Sequence, residues 1–191
     1  MKIVKQLFMS LGHIILSVLS LCPQSGYDLA KKFDGTVGCY WKASQQQVYK
    51  ELAKLEERGA VSYEAIPQEG RLDKKVYCLT QQGTEELIKW VMEPSEPTVI
   101  RESLAGKLKA AHLVPKAVMI KDIERRRQIH QTNLEHLKAE LAAYEQMYDQ
   151  GLLPPKGKIY CQIGIGRGIR YEKDWVAWCD ESLALLLASS D

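Results

Sequence analysis

Apolar positions recur most regularly between Trp41 and Gly59, in the stretch WKASQQQVYKELAKLEERG, which reads as one helix. Val48, Leu52 and Leu55 stand at i, i+4 and i+7, a stripe that must pack on something. Gln46, Lys50 and Glu57 fall on the opposite side, with Gln47 and Lys54 flanking them and Tyr49 at the other edge. Ser44 is placed to cap the N-terminus, and Gly59 is the residue type expected just past a helix end.

Upstream, Leu7, Leu11, Ile14, Ile15, Val18 and Leu21 recur at helical spacing from about Gln6 to Leu21, and Pro23 ends that helix. A short second helix follows, with Ser25 as cap and Asp28 where a capping-box acid would sit. Asp34, Gly35 and Gly38 make a turn before the Trp41 stretch. Three helices with a polar face on the third match a helix-turn-helix arrangement. After Gly59 the period changes to two. Val61–Ile66 and Lys75–Thr80 read as strands around a turn-rich Pro67–Asp73, so Arg71, Lys74 and Lys75 are expected near a hairpin tip. Thr80 then caps a fourth helix, with Leu87, Trp90 and Val91 expected to face inward.

Glu93-Pro-Ser-Glu-Pro-Thr is a proline-punctuated linker. Arg101 to about His112 reads as a short helix with Leu104, Leu108 and Ala111 on one face. Pro115 opens a long helix to about Tyr148, in which Leu134, Leu137, Leu141, Tyr144 and Tyr148 alternate steps of three and four, as in a coiled-coil seam. The same register places Arg127 and His130 in the seam. Such a pattern suits an ordinary helical pair within the chain or a polar break that sets dimer register. A loop through Gln150–Gly157 leads to a last helix from about Tyr160 to Ala188, antiparallel to the long one, with Tyr171, Trp175, Trp178 and Ser182 on one face.

Composition narrows the class. The chain has 191 residues, 46% hydrophobic and 26% charged, enough for a real core. Its net charge of +2 means that any nucleic-acid surface must be a local patch. The five cysteines include no C-x-x-C pair, and the four histidines show no ligand spacing, so reduced thiols in a cytoplasmic protein are expected, without metal or cofactor. The Ile14–Cys22 run is too short to span a bilayer and lacks a signal-peptide cleavage site. Gly164-Ile-Gly-Arg-Gly fails as a dinucleotide fingerprint: its third glycine comes one place early and no βαβ unit surrounds it.

The segment Leu19–Leu29 (LSLCPQSGYDL), the tryptophan-led helix ending Leu-Glu-Glu-Arg-Gly, the basic hairpin and Tyr77–Gly83 (YCLTQQG) together resemble the PadR family of bacterial transcriptional regulators. The similarity is nearest to its virulence-activator branch, whose members carry a long C-terminal helical domain. It implies a mostly α fold, with a winged helix-turn-helix domain over 1–93, a linker over 94–102 and an antiparallel helical dimerisation domain over 103–191. It also implies no catalysis, and it makes the hairpin the wing. The three glycines after Cys161 depart from the helical pattern of such relatives.

Glutamine can bond an adenine edge twice, and lysine can reach guanine or phosphate. The expected DNA-contacting residues are therefore Ser44, Gln45, Gln46, Gln47, Tyr49, Lys50 and Lys54 on the helix, with Arg71, Lys74 and Lys75 on the wing. Leu134, Leu137, Leu141, Tyr144, Trp175 and Trp178 are the expected dimer contacts. The leading expectation is a homodimeric repressor on a palindromic operator in double-stranded DNA. The alternative is a sensor of a small aromatic effector, with Tyr144, Tyr148, Trp175 and Trp178 lining an apolar pocket; some family members respond to phenolic acids. No nucleophile–base pair or paired carboxylates support an enzyme.

Overall fold

The computed structural model describes residues 11–35, 37–68, 70, 73–95, 97 and 102–189. Helix α1 (Leu11–Leu19) leads through a two-residue strand β1 (Gln24–Ser25) into α2 (Gly26–Asp34), a 3₁₀ turn (Val37–Cys39) and α3 (Gln45–Glu57). Strands β2 (Val61–Ile66) and β3 (Lys74–Leu79) follow, then α4 (Gln81–Met92), α5 (Ser103–Lys109), α6 (Lys116–Asp149) and α7 (Lys158–Ala188). The fold is mostly helical with one small antiparallel sheet, ordered β1-β3-β2. No described helix is long and apolar enough to cross a membrane. Arg71, Leu7 and the expected helix start at Gln6 lie outside the described residues.

Two compact units are present: residues up to 95 together with 147–157, and 96–146 together with 158 onward. The first unit is built on a core of Ile15, Leu16, Leu29, Phe33, Val48, Leu52 and Leu55, joined by Val61, Tyr77 and Leu87. The helical periods of α1, α2 and α3 each supply an apolar face, and burying those faces together drives this packing. Strands β2 and β3 pair in register from Val61 opposite Leu79 to Ile66 opposite Lys74. Strand β1 adds to the free side of β3, with Ser25 opposite Val76. No alternation predicts a strand this short; it forms because β3 offers its unpaired edge.

Three expectations are corrected here. Helix α3 starts at Gln45, and Trp41–Ala43 form a non-helical lead whose Trp41 and Ala43 rest on the core. Lys74 and Lys75 lie in β3 rather than at the hairpin tip. Val91 is exposed, because the last turn of α4 runs past the core that Leu87 and Trp90 touch.

In the second unit α6 and α7 run antiparallel. Gln162 donates to Glu145 at 3.0 Å near one end, and the Lys116 ammonium reaches the Ser189 carbonyl at 2.6 Å near the other. Leu134, Leu137 and Tyr144 are buried within the single chain, with Leu141, Trp175 and Trp178 half-buried. Part of the expected dimer seam is covered within the chain: Gly168 of α7 comes close against the Leu137 side chain. The polar break is internal too. Glu172, 1% exposed, accepts from Asn133 at 3.4 Å and meets His130 Nδ1 at 2.6 Å, while Arg127 pairs with Asp180. The His130 ring stacks on Trp175 with centroids 4.6 Å apart. The glycine-rich stretch after Cys161 is continuous helix. At Gly168 an added Cβ would stand 3.1 Å from Leu137 Cδ1, whereas Gly164 and Gly166 face open space.

Candidate nucleic-acid interface

Helix α3 is anchored on three sides. Its inner stripe of Val48, Leu52 and Leu55 is fully buried. At its start, Ser44 and Gln47 form a complete capping box: the Gln47 N–H donates to Ser44 Oγ at 3.3 Å, and the Ser44 N–H donates to Gln47 Oε1 at 2.8 Å. Two orphan donors of the first turn are satisfied this way. At its end, Gly59 turns left-handed with φ of 73°, which glycine alone adopts without a steric cost.

The α3 terminus is then tied to the next element. Gln82 donates to the Arg58 carbonyl at 2.7 Å, the Thr80 hydroxyl to the Gly59 carbonyl at 2.6 Å, and Arg58 pairs with Glu86 at 2.7 Å. Gly83 approaches the Ala60 carbonyl so closely that a Cβ would lie 1.9 Å from that oxygen. The YCLTQQG segment is therefore a joint holding α4 against the α3 exit. Buried His13 stacks on Trp90 with centroids 5.0 Å apart and lies 3.5 Å from the same Glu86 oxygen. Burial holds its pKa below the ordinary histidine value, against the opposing pull of Glu86.

The outward face of α3 carries Gln45, Gln46, Tyr49 and Lys50, all exposed. Ser44 and Gln47 are exposed as well, but the Ser44 hydroxyl and the Gln47 carbonyl oxygen are occupied by the cap. Lys54 is exposed and paired with Glu51 at 2.9 Å. Tyr49 leans back over the start of α2, its ring close against Gly26.

The wing cations sit differently from one another. Lys75, opposite Ala65, has its Nζ 3.7 Å over the ring of Tyr63, which itself pairs with Tyr77. Lys74 Nζ stands 3.3 Å from Asp28 Oδ2 in the first turn of α2. That carboxylate also accepts the Ser25 hydroxyl at 2.6 Å, while Ser25 Oγ caps the helix by accepting the Asp28 N–H at 3.1 Å. The Ser25 hydroxyl foremost, then Lys74, holds the Asp28 carboxyl below the usual carboxylate range. The capping position of Asp28 carries no sign of its pairing with the wing; Tyr27 beside it and Lys42 before the α3 cap are exposed. The S-G-Y-D spacing was the available signal for Tyr27 and Asp28.

Of the aromatic residues expected to line an effector pocket, Trp175 and Trp178 meet edge to face with centroids 5.4 Å apart, but Tyr144 is far from them along α6. Trp175 stacks on His130, and Tyr144 lies fourteen residues further along α6, about 21 Å at the helical rise.

Residues 15–89 match the model of the transcriptional regulator PadR-like family, and residues 100–186 match the C-terminal model of the virulence activator alpha family. The chain is 45% identical over 92 residues to the probable transcriptional regulator Rv1176c of Mycobacterium tuberculosis, a match spanning 47% of this chain and 48% of that protein. The structure of the Vibrio cholerae virulence activator AphA superposes with a TM-score of 0.65 at 31% identity, covering 95% of this chain and all of that one (100%). The negative transcriptional regulator PadR of Bacillus subtilis is 26% identical over 186 residues, covering 92% of this chain and 97% of that protein. Its structure with operator DNA superposes with a TM-score of 0.68, and it has also been solved with p-coumaric acid. With both halves matched and AphA aligned along its whole length, the chain belongs to the PadR-like family of transcriptional regulators.

Proposed function

We propose that this chain is a sequence-specific DNA-binding repressor that acts in the cytoplasm as a homodimer on a palindromic operator. The observation that carries the reading is the outward row Gln45, Gln46, Tyr49 and Lys50 on a helix whose inner face and both ends are fixed. A rigid helix with exposed amide and ammonium groups is what the major groove admits and what its base edges can pair with. In this reading the wing residues Lys75 and Arg71 meet the phosphate backbone, Lys75 leaving the Tyr63 ring it lies over; Lys74 is likewise held by Asp28 and Lys54 by Glu51. The Bacillus subtilis relative, solved on operator DNA and named a negative regulator, supports the same reading.

In this reading residues 1–93 are the DNA-binding domain, 94–102 the linker and 103–191 the dimerisation domain. With much of the Leu134–Tyr144 stripe buried within the chain, the exposed apolar residues of α7 (Ile159, Tyr160, Ile163, Leu185 and Leu187) supply the surface for a second copy. A gel shift against genomic fragments, followed by footprinting upstream of the protein's own gene, tests DNA binding; sedimentation at micromolar concentration tests the dimer. A chain that shifts no fragment and sediments as a monomer defeats the reading.

A second reading adds a small aromatic effector that releases DNA, favoured by the relative solved with p-coumaric acid. Titrating phenolic acids while following tryptophan fluorescence tests it, and an unchanged signal at millimolar acid excludes it.

A further inference from the structure

We propose that Asp28 is a brake on the sequence-independent DNA affinity of this chain: it masks the charge of Lys74 beside the reading face of α3. The proposal rests on the DNA-binding reading above and adds a residue with a role opposite to that of the contact lysines.

The placement follows from the fold. Strand β1 sets Ser25 opposite Val76 on β3, which brings the first turn of α2 within reach of the start of β3. There Asp28 Oδ2 meets both the Ser25 hydroxyl, at 2.6 Å, and Lys74 Nζ, at 3.3 Å. Two residues from Asp28, Gly26 carries the ring of Tyr49, so the pair borders the outward face of α3. One carboxylate thus answers both the Lys74 ammonium and the positive end of the α2 dipole. Lys31, a turn further along α2, adds a smaller favourable charge to the same carboxylate.

Magnitudes decide between two roles for this pair. As a strut holding the wing it is weak, because the two side chains are 42% and 48% exposed, and ion pairs so exposed contribute little to stability. The wing is already held to α2 by the backbone pairing of β1 with β3. As a charge beside a polyanion the carboxylate is not weak. Each lysine that reaches a phosphate releases counterions and adds about 0.9 to the salt slope, whatever the base sequence. A lysine held by a carboxylate must first leave it, and the carboxylate then stays beside the phosphate it repels.

The test is Asp28→Asn, which removes the charge and keeps both the shape and an oxygen for the Ser25 hydroxyl. Affinities are measured for a random-sequence duplex and for a duplex that the wild type selects from a random pool, from 0.1 to about 0.4 M salt, with circular dichroism to verify folding. On both duplexes D28N binds more tightly, by about eightfold at 0.1 M salt, with a slope steeper by about 0.9. In a Lys74→Gln background the same substitution has a much smaller effect. If wild type binds and D28N is unchanged or weaker, the carboxylate is at most a strut and the brake is wrong. An equal gain with and without Lys74 also rejects the masking. If wild type binds neither duplex at the lowest salt, the DNA-binding reading itself fails, and the brake with it.

Discussion

The ring of Tyr49 on α3 lies so close to the backbone of Gly26 on α2 that a Cβ at position 26 would stand 2.6 Å from Tyr49 Cε1. An added methyl at position 26 therefore requires the Tyr49 ring, or the helices that carry it, to shift. Gly26→Ala is expected to destabilise the first unit by about 1–3 kcal/mol, the usual cost of overpacking. Thermal melts of G26A, Y49A and the double variant check it: the double variant should lose less than the sum of the singles, since removing the ring removes the clash. Strictly additive losses would mean that the ring simply swings aside.

The row of exposed α3 residues divides by what each side chain is already doing. If, as proposed, Gln46 and Lys50 contact bases, Gln46→Ala and Lys50→Ala lose about 1–3 kcal/mol on the selected site and little on random DNA. Gln47→Ala instead opens the capping box and should lower the melting point through a loss of about 0.5–2 kcal/mol of stability. Its DNA affinity should fall by similar factors on both duplexes. Competition gel shifts with both duplexes separate the two kinds of residue.

His13 makes the first unit sensitive to acid. Its pKa is lowered by burial, so the unfolded chain takes up this proton at higher pH than the folded one. The stability it contributes is full above about pH 6.5, the ordinary histidine value. It is lost as pH falls from there through the lower folded value. Urea titrations at pH 7.5 and 5.0 should show that loss, and His13→Gln should flatten the difference between the two. Fluorescence of Trp90, stacked on the imidazole at 5.0 Å, should change over the same range. Equal pH dependence in wild type and H13Q would show that other groups control it.

The three glycines of α7 are not equivalent. Gly168→Val must push Leu137 away from a 3.1 Å contact and is expected to destabilise the helical pair by about 1–3 kcal/mol. Gly164→Ala and Gly166→Ala meet no neighbour. Each should stabilise by about 0.5–1 kcal/mol, because glycine is a poor helix former. Chemical denaturation of the three variants decides the order, and a destabilising G164A would point to a partner on that face.

Much of this molecule is written in local pattern. The stripe Val48–Leu52–Leu55 and the Ser44 cap placed α3 to within a few residues, and the change of period after Gly59 placed β2 at Val61–Ile66. Periodicity and capping act over one or two turns, and a single chain segment contains all the information they need. The motifs SGYDL, LEERG and YCLT likewise sufficed to show the family resemblance. Tertiary structure alone decided what each polar group does. A two-residue strand exists because β3 had a free edge, and through it Asp28 meets Lys74. Gln47, a base reader by its position on the helix wheel, is turned back into the cap. Leu137 and the polar break at Arg127 and His130 are met by α7 of the same chain, because an antiparallel helix in the same chain reaches them at no cost in translational freedom. Which partner an amphipathic face finds depends on proximity in space, and the periodicity of one helix carries no record of it.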